Sequence, residues 1–271
     1  MRLRRRGRRG WEHCSKRLSF PCLFADSTQV HPYYLSCDTR KLLARKLSVV
    51  NRRKLFMSAR QFDRSEHVYK NEEFAEIVKD AVRFFNGTPV HQLPLPARFR
   101  GTGVYALYYT GRTGVYRQYG KLNRTAYSHP IYVGKAVPKG WRQARVVDDP
   151  NAQASELRSR LAEHSRNIEK VSGIEISDFM CRFVILEGTA SDMIGTIEAA
   201  LIKLHRPLWN TRMDGFGNHT PGKGRFEQAK SDWDVIHIGR VWAEKCKGIH
   251  AKPEVVLKSI EQHLKSLTVN P

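Results

Sequence analysis

Glu198 stands in the run Met193-Ile194-Gly195-Thr196-Ile197-Glu198-Ala199-Ala200-Leu201-Ile202, with apolar residues on both sides. An ionised carboxylate in such a helix is costly unless a cation offsets it, and that cation is either a metal ion or a Lys or Arg partner. Arg160 and His164 lie four residues apart in the segment from Ala154 to Lys170, which reads as a helix, so they share one face. The blander reading of that spacing is a solvated, charged helix face. A guanidinium suits phosphate or carboxylate, and an imidazole suits proton transfer near neutrality. Upstream, Gly103-Val104-Tyr105 and Tyr132-Val133-Gly134-Lys135 place two tyrosines and a lysine on short aromatic and β-branched strings, which most often form strands with buried rings. A tyrosine with its ordinary pKa of about 10 is a poor base at neutral pH unless cations or a proton acceptor assist it. Lys135, Arg160 and His164 are residues of the right kind to do so.

The elements that must position these groups follow from the local pattern. Asn71 ahead of Glu72 and Glu73 predicts a helix start, continued by an apolar stripe of Phe74, Ile77, Val78, Ala81, Val82 and Phe85 and stopped by Gly87. The proline-rich stretch 88–96 predicts an extended connection. Strands are expected at Gly103 to Tyr109, Ile131 to Lys135 and Phe179 to Glu187, and helices at Ala154 to Lys170 and at Ser191 to Leu204, the latter capped by Ser191 and ended before Pro207. The order strand, strand, helix, strand, helix gives an α/β or α+β unit with a small three-stranded central sheet flanked by helices, with helical additions at both ends. The Gly-rich run 214–224 is too long for an idle turn and reads as a binding loop. Residues 225–245 and 253–267 read as helical segments covering the core.

Lys and Arg number 47 against 26 Asp and Glu, which points to a polyanionic partner, with nucleic acid the leading candidate. The excess is uneven: residues 1–56 carry a net charge of +12 and the remaining 215 residues +9. The opening Met1-Arg2-Leu3-Arg4-Arg5-Arg6 continues as low-complexity basic sequence without apolar period, so residues 1–56 are expected to be a disordered extension. They need not belong to the functional protein, since Met57 can serve as a start and residues 57–271 contain a whole core; an organelle-targeting or DNA-binding tail is the alternative. No continuous apolar stretch follows the basic start, and none later approaches 18 residues, so a soluble, unsecreted protein with no membrane role is expected. Cys14, Cys22, Cys37, Cys181 and Cys246 show no zinc-type spacing and read as free thiols of a reducing cytoplasm. Candidate nucleic-acid contacts are Arg117, Lys121 and Arg124, interleaved with Tyr116, Tyr119 and Tyr127 between the first two strands, Arg142 and Arg145 after Gly140-Trp141, and Lys223 and Arg225 at the Gly-rich run. Arginines among them suit guanine, through two parallel hydrogen bonds in the major groove. The basic balance alone would also fit a non-catalytic nucleic-acid-binding protein.

The two tripeptides, in order with Arg160, His164, Glu198 and the Asn210 of Pro207-Leu208-Trp209-Asn210, resemble the GIY-YIG nuclease superfamily, with valine for isoleucine in both tripeptides. The resemblance spans residues 100–212, and within the superfamily the histidine after the helix arginine resembles the type II restriction endonucleases that cleave CCGCGG, where excision-repair members carry tyrosine. It implies that Tyr105, assisted by His164, deprotonates a water, that Arg160 stabilises the pentacovalent phosphate, and that Glu198 holds a metal near the leaving oxygen. Tyr132 and Lys135 would position the phosphate or tune the base, and Asn210 would hold the site's shape. Hydrolysing a phosphodiester needs these same three services: an activated water, neutralised phosphoryl charge and help for the departing alkoxide. A single carboxylate suits one Mg²⁺, which keeps most of its waters. The implied partner is double-stranded DNA, bound by a homodimer if the target is palindromic. Compact members join the tripeptides by a short loop, whereas 26 residues separate Tyr105 from Tyr132, and that insertion is expected to read DNA. A homing enzyme would append DNA-binding modules, and no zinc-ligand set or long basic tail follows residue 212.

Overall fold

The computed structural model describes residues 62–141, 155–222 and 224–269. The extension 1–56 and the candidate contacts Arg142, Arg145 and Lys223 lie outside them. Two compact units divide the chain, Met1–Val68 and Tyr69–Pro271. Of the first, the described part is a short 3-10 turn, Arg64–His67, started by the Asp63 carboxylate accepting from the Ser65 amide at 2.8 Å.

The second unit is built on a four-stranded antiparallel sheet of β1 (Val90–Gln92), β2 (Gly103–Tyr109), β3 (Tyr132–Ala136) and β4 (Phe179–Ile185), in the order β1-β4-β2-β3. The three expected strands are present, with a fourth at the edge. At three residues β1 is too short to show alternation, and it lies in the stretch that reads as a plain connection; it pairs Val90 with Arg182 and Gln92 with Met180. Every residue of β2 is buried because helices and coil cover the sheet on both faces. Alternation then sorts its side chains: Tyr105, Leu107 and Tyr109 enter one core and Val104, Ala106 and Tyr108 the other. The glycines of the two tripeptides have a steric reason. A Cβ on Gly103 would lie 2.0 Å from the Val184 carbonyl oxygen, and one on Gly134 would lie 2.5 Å from the Tyr105 hydroxyl.

Helix α1 (Glu72–Gly87) starts as the sequence predicts, Asn71 accepting from the Phe74 amide at 2.8 Å. Only the C-terminal part of its stripe is used: Phe85 is buried and Ala81 and Val82 half-buried, while Phe74 and Ile77 stay exposed. The hairpin insertion contains α2 (Arg117–Leu122). Two of its three tyrosines are turned away from any base: Tyr116 and Tyr119 are buried, their hydroxyls 2.7 Å from His237 Nε2 and 3.0 Å from His263 Nε2, while Tyr127 is half-buried. Helix α3 (Glu156–Glu169) presents Leu157, Leu161, His164 and Ile168 as one buried stripe. Helix α4 (Ile194–His205) starts three residues later than expected, after a 3-10 turn at Gly188–Met193; the Ser191 hydroxyl donates back to the Gly188 carbonyl at 2.7 Å and caps nothing. Arg206, in the left-handed region at φ 45°, ends α4 and turns the chain into α5 (Leu208–Thr211).

Residues 225–245 are not the helical segment expected. They form coil around the five-residue α6 (Asp232–Ile236) and a 3-10 turn at Ala243–Lys245, with Ala229 bridged to Gly248. Helix α7 (Pro253–Val269) follows as predicted and buries Val256 and Ile260 in the core that holds Tyr105. No helix among the described residues is long and apolar enough to cross a membrane.

Candidate active site

Tyr105 is fully buried on the central strand, and its hydroxyl lies 2.6 Å from Nε2 of His164, which α3 carries in its apolar stripe. Burial pushes the Tyr105 pKa well above the ordinary tyrosine value, and burial together with the nearby Arg160 charge pushes His164 well below the ordinary histidine value. Both shifts favour a neutral pair, with the phenol donating to an unprotonated imidazole. The ring of Phe216 stacks on His164 at 4.5 Å, and Tyr132 meets the same imidazole edge-on at 5.4 Å. Tyr132 is only partly buried. Burial raises its pKa too, opposed by the charge of Arg160 and by hydrogen bonding to Tyr105.

Arg160 sits one helical turn before His164 at the rim of this pocket, half-buried. Burial works against its charge, but Tyr105 and Glu163 outweigh that and raise its pKa. Its NH1 nitrogen donates to Glu163 at 2.7 Å and approaches His219 Nε2 at 2.8 Å, and NH2 reaches the Gly217 carbonyl at 3.4 Å. The structure thus brings Tyr105, Tyr132, Arg160 and His164 together.

Lys135 and Glu198 lie at the other face of the edge strand. Lys135 pairs in register with Val104, whose side chain enters the second core, and its ammonium contacts Glu198 at 2.5 Å. Lys135 is thus the basic side chain that faces this acid, so it is engaged by Glu198 and not by the tyrosines. The Glu198 charge still reaches both tyrosines and contributes to raising their pKa values. Asn210 closes the edge of β3: its side-chain oxygen accepts from the Val133 amide and its NH₂ donates to the Val133 carbonyl, both at 2.8 Å. This satisfies the two backbone groups that an edge strand leaves open.

Glu198 offers a hard carboxylate oxygen, about one-sixth exposed, and no group of three or more His, Cys, Asp or Glu suited to a metal occurs among the described residues. That donor set fits Mg²⁺, which takes few protein ligands and keeps its waters, and does not fit a tetrahedral zinc site.

Arg117, Lys121 and Arg124 are exposed and line a pocket of about 210 Å³ with Arg112, Thr110, Asn123 and Tyr127, without a carboxylate in its wall. Arg225 is exposed on a separate turn. The sequence reading missed Glu163 and His219, which bracket Arg160, and Asp234 and Arg240, a fully buried ion pair at 2.6 Å that fastens the Gly-rich run. The one signal available was that run itself, too long and too rich in glycine to be a turn.

A family model described as the Eco29kI GIY-YIG domain matches residues 97–264, more than half of the chain and all of the residues just described. No curated protein matches.

Proposed function

The chain belongs to the Eco29kI GIY-YIG family, and from that premise we propose that this DNA endonuclease is a type II restriction enzyme, cutting both strands at CCGCGG by Mg²⁺-dependent hydrolysis. The observation that carries the chemistry is the contact between the Tyr105 hydroxyl and an imidazole that burial keeps unprotonated, with Arg160 beside it. In this reading Tyr105 and His164 form the proton-accepting unit. Tyr105 has no surface of its own, so the partly exposed Tyr132 meets the attacking water and passes its proton inward through Tyr105 to His164. Arg160 binds the phosphoryl oxygens and stabilises the charge that grows on them. Glu198, near the leaving oxygen, would hold Mg²⁺, with Lys135 ceding part of its contact; the ion supplies charge neutralisation at that oxygen. Asn210 fixes the edge strand that carries Tyr132 and Lys135.

The substrate is duplex DNA, and a palindromic target calls for a homodimer, since equal contacts to two half-sites need a two-fold axis. Arg117, Lys121, Arg124 and Arg225 would contact it, as would Arg142, Arg145 and Lys223, and Arg112 joins the first three on the same pocket. The cytoplasm is the expected compartment. The test is digestion of a plasmid bearing CCGCGG sites in Mg²⁺ and in EDTA, followed by sequencing of the ends. Linear fragments ending within CCGCGG are expected, in Mg²⁺ only. Ends at unrelated sequences would overturn the specificity, and an intact plasmid in both conditions would leave the non-catalytic binder.

A further inference from the structure

The Gly-rich run is built as a clasp. Arg240, paired with Asp234 inside the protein, donates to the carbonyls of Gly215 at 2.9 Å and of Phe216 and Asn218 at 3.3 Å, and lies over the rings of Trp233 and Trp242. Phe216 is fully buried against His164, Tyr132 and Trp209. One residue past the last of these holds comes His219, whose side chain is 62% exposed and yet has both ring nitrogens engaged. Nδ1 lies 2.8 Å from Glu163 Oε1, and Nε2 lies 2.8 Å from Arg160 NH1. The other Glu163 oxygen accepts from that same NH1 at 2.7 Å.

Arginine has donors only, so Nε2 of His219 accepts, and the ring proton sits on Nδ1, donated to Glu163. The NH1 nitrogen carries two hydrogens, and both are used: one by Glu163, one by His219. On the other side NH2 reaches the Gly217 carbonyl at 3.4 Å, which takes one of its two hydrogens, so the second NH2 hydrogen and the Nε–H are left to meet a phosphate. An arginine side chain otherwise carries large rotamer entropy, which must be given up when it docks on a transition state.

We propose that Glu163 and His219 are positioning residues for Arg160: carboxylate and imidazole together saturate its NH1 nitrogen and present the remaining N–H groups to the scissile phosphate beside Tyr105 and Tyr132. The clasp exists to deliver His219 to that place. The proposal rests on the reading of Arg160 as a phosphoryl-binding residue, and its test separates the two.

The experiment measures kcat and KM for cleavage of plasmid DNA bearing CCGCGG sites in Mg²⁺, with a thermal melt of each variant. His219→Ala should lower kcat by about 10- to 100-fold while KM moves by less than about 3-fold, since an interaction felt only in the transition state appears in kcat. His219→Gln, whose amide can donate to Glu163 and accept from Arg160, should recover most of the rate. Glu163→Gln, of the same size, should lower kcat in the same direction. In an Arg160→Lys background, His219→Ala should cost less than about 2-fold, because residues that act through one group are not additive. Wild-type kcat in His219→Ala, a loss confined to KM, the same fold-loss in both backgrounds, or a kcat loss accompanied by a large fall in melting temperature that His219→Gln does not repair would each overturn the proposal. If Arg160→Ala abolishes cleavage while His219→Ala does not, the enzyme reading stands and the clamp alone fails. If Arg160→Ala cuts normally, the reading beneath it fails.

Discussion

A buried phenol and a buried imidazole at 2.6 Å hold one proton between them, and burial sets where it rests. With Tyr105 raised and His164 depressed, the acceptor form of the histidine persists to lower pH than an exposed one would allow. The acid limb of the kcat profile should therefore lie below the ordinary histidine value of about 6.5. A limb at or above that value, followed by steady-state rates from pH 5 to 8, would argue against His164 as acceptor. Tyr105→Phe removes the hydroxyl and leaves Nε2 of His164 buried without its partner, so it should cost about 1–3 kcal/mol of stability as well as the rate. Part of this was legible from residue type and order: helical spacing puts Arg160 and His164 on one face, whereas their meeting with Tyr105, 59 positions from His164, was implied only by the family resemblance. The pairing of Lys135 with Glu198 was legible only as a choice among a metal, an arginine and a lysine. Glu163 and His219 were not legible together: 55 residues separate them, and only the folded clasp makes them neighbours.

Among the elements, the edge strand β3 is the one under most demand, since it carries Tyr132 and Lys135 and has neighbours on one side only. Asn210 does the work of a missing strand there. Asn210→Ala leaves the Val133 N–H and C=O unpaired, and denaturant unfolding should show a loss of about 1–3 kcal/mol, with a fall in kcat larger than stability alone explains. Phe216→Ala tests the plug of the clasp. A fully buried Phe replaced by Ala costs about 3–5 kcal/mol, and here it also loosens His164 on its other face. The elements the sequence misjudged share one physical cause. Strand β1 and the coil of residues 225–245 are settled by tertiary partners, pairing with β4 for the first and the Arg240 carbonyl contacts for the second, and the late start of α4 by a local competitor, a serine that bonds back three residues, so in each the cause is a hydrogen bond that periodicity does not report. Strong periodicity, as in α1, α3 and α7, needed no such partner to be read.

At the scale of the whole molecule, the hairpin insertion and the C-terminal segment are fastened to one another through Tyr116 with His237 and Tyr119 with His263. Burial first lowers both histidines, to about 4 each, with the charges of Arg212 and Arg206 adding to the effect at His263. The unfolded chain binds protons at these sites near pH 6.5 and the folded chain does not, so stability is full above that pH and is lost as pH falls toward about 4. The melting temperature should decline over that window, and a combined His237→Asn and His263→Asn variant should show a shallower decline from a lower starting value. A flat profile in the wild type would mean that these imidazoles are solvated. The composition foretold the polyanionic partner correctly, since the family acts on DNA, but it spoke for the whole chain, whereas the insertion's own arginines and lysine gather with Tyr127 on one pocket free of carboxylates while Tyr116 and Tyr119 turn inward.

The most direct measurement is the single-turnover rate of duplex cleavage in Mg²⁺ by the wild-type protein and by Tyr105→Phe and Arg160→Ala. The expected result is cutting by the wild type and a loss of about 10²- to 10³-fold or more in each variant, the scale of removing one transition-state donor, with both variants still folded. Either variant cutting at the wild-type rate would contradict the assignment of phosphodiester chemistry to this cluster.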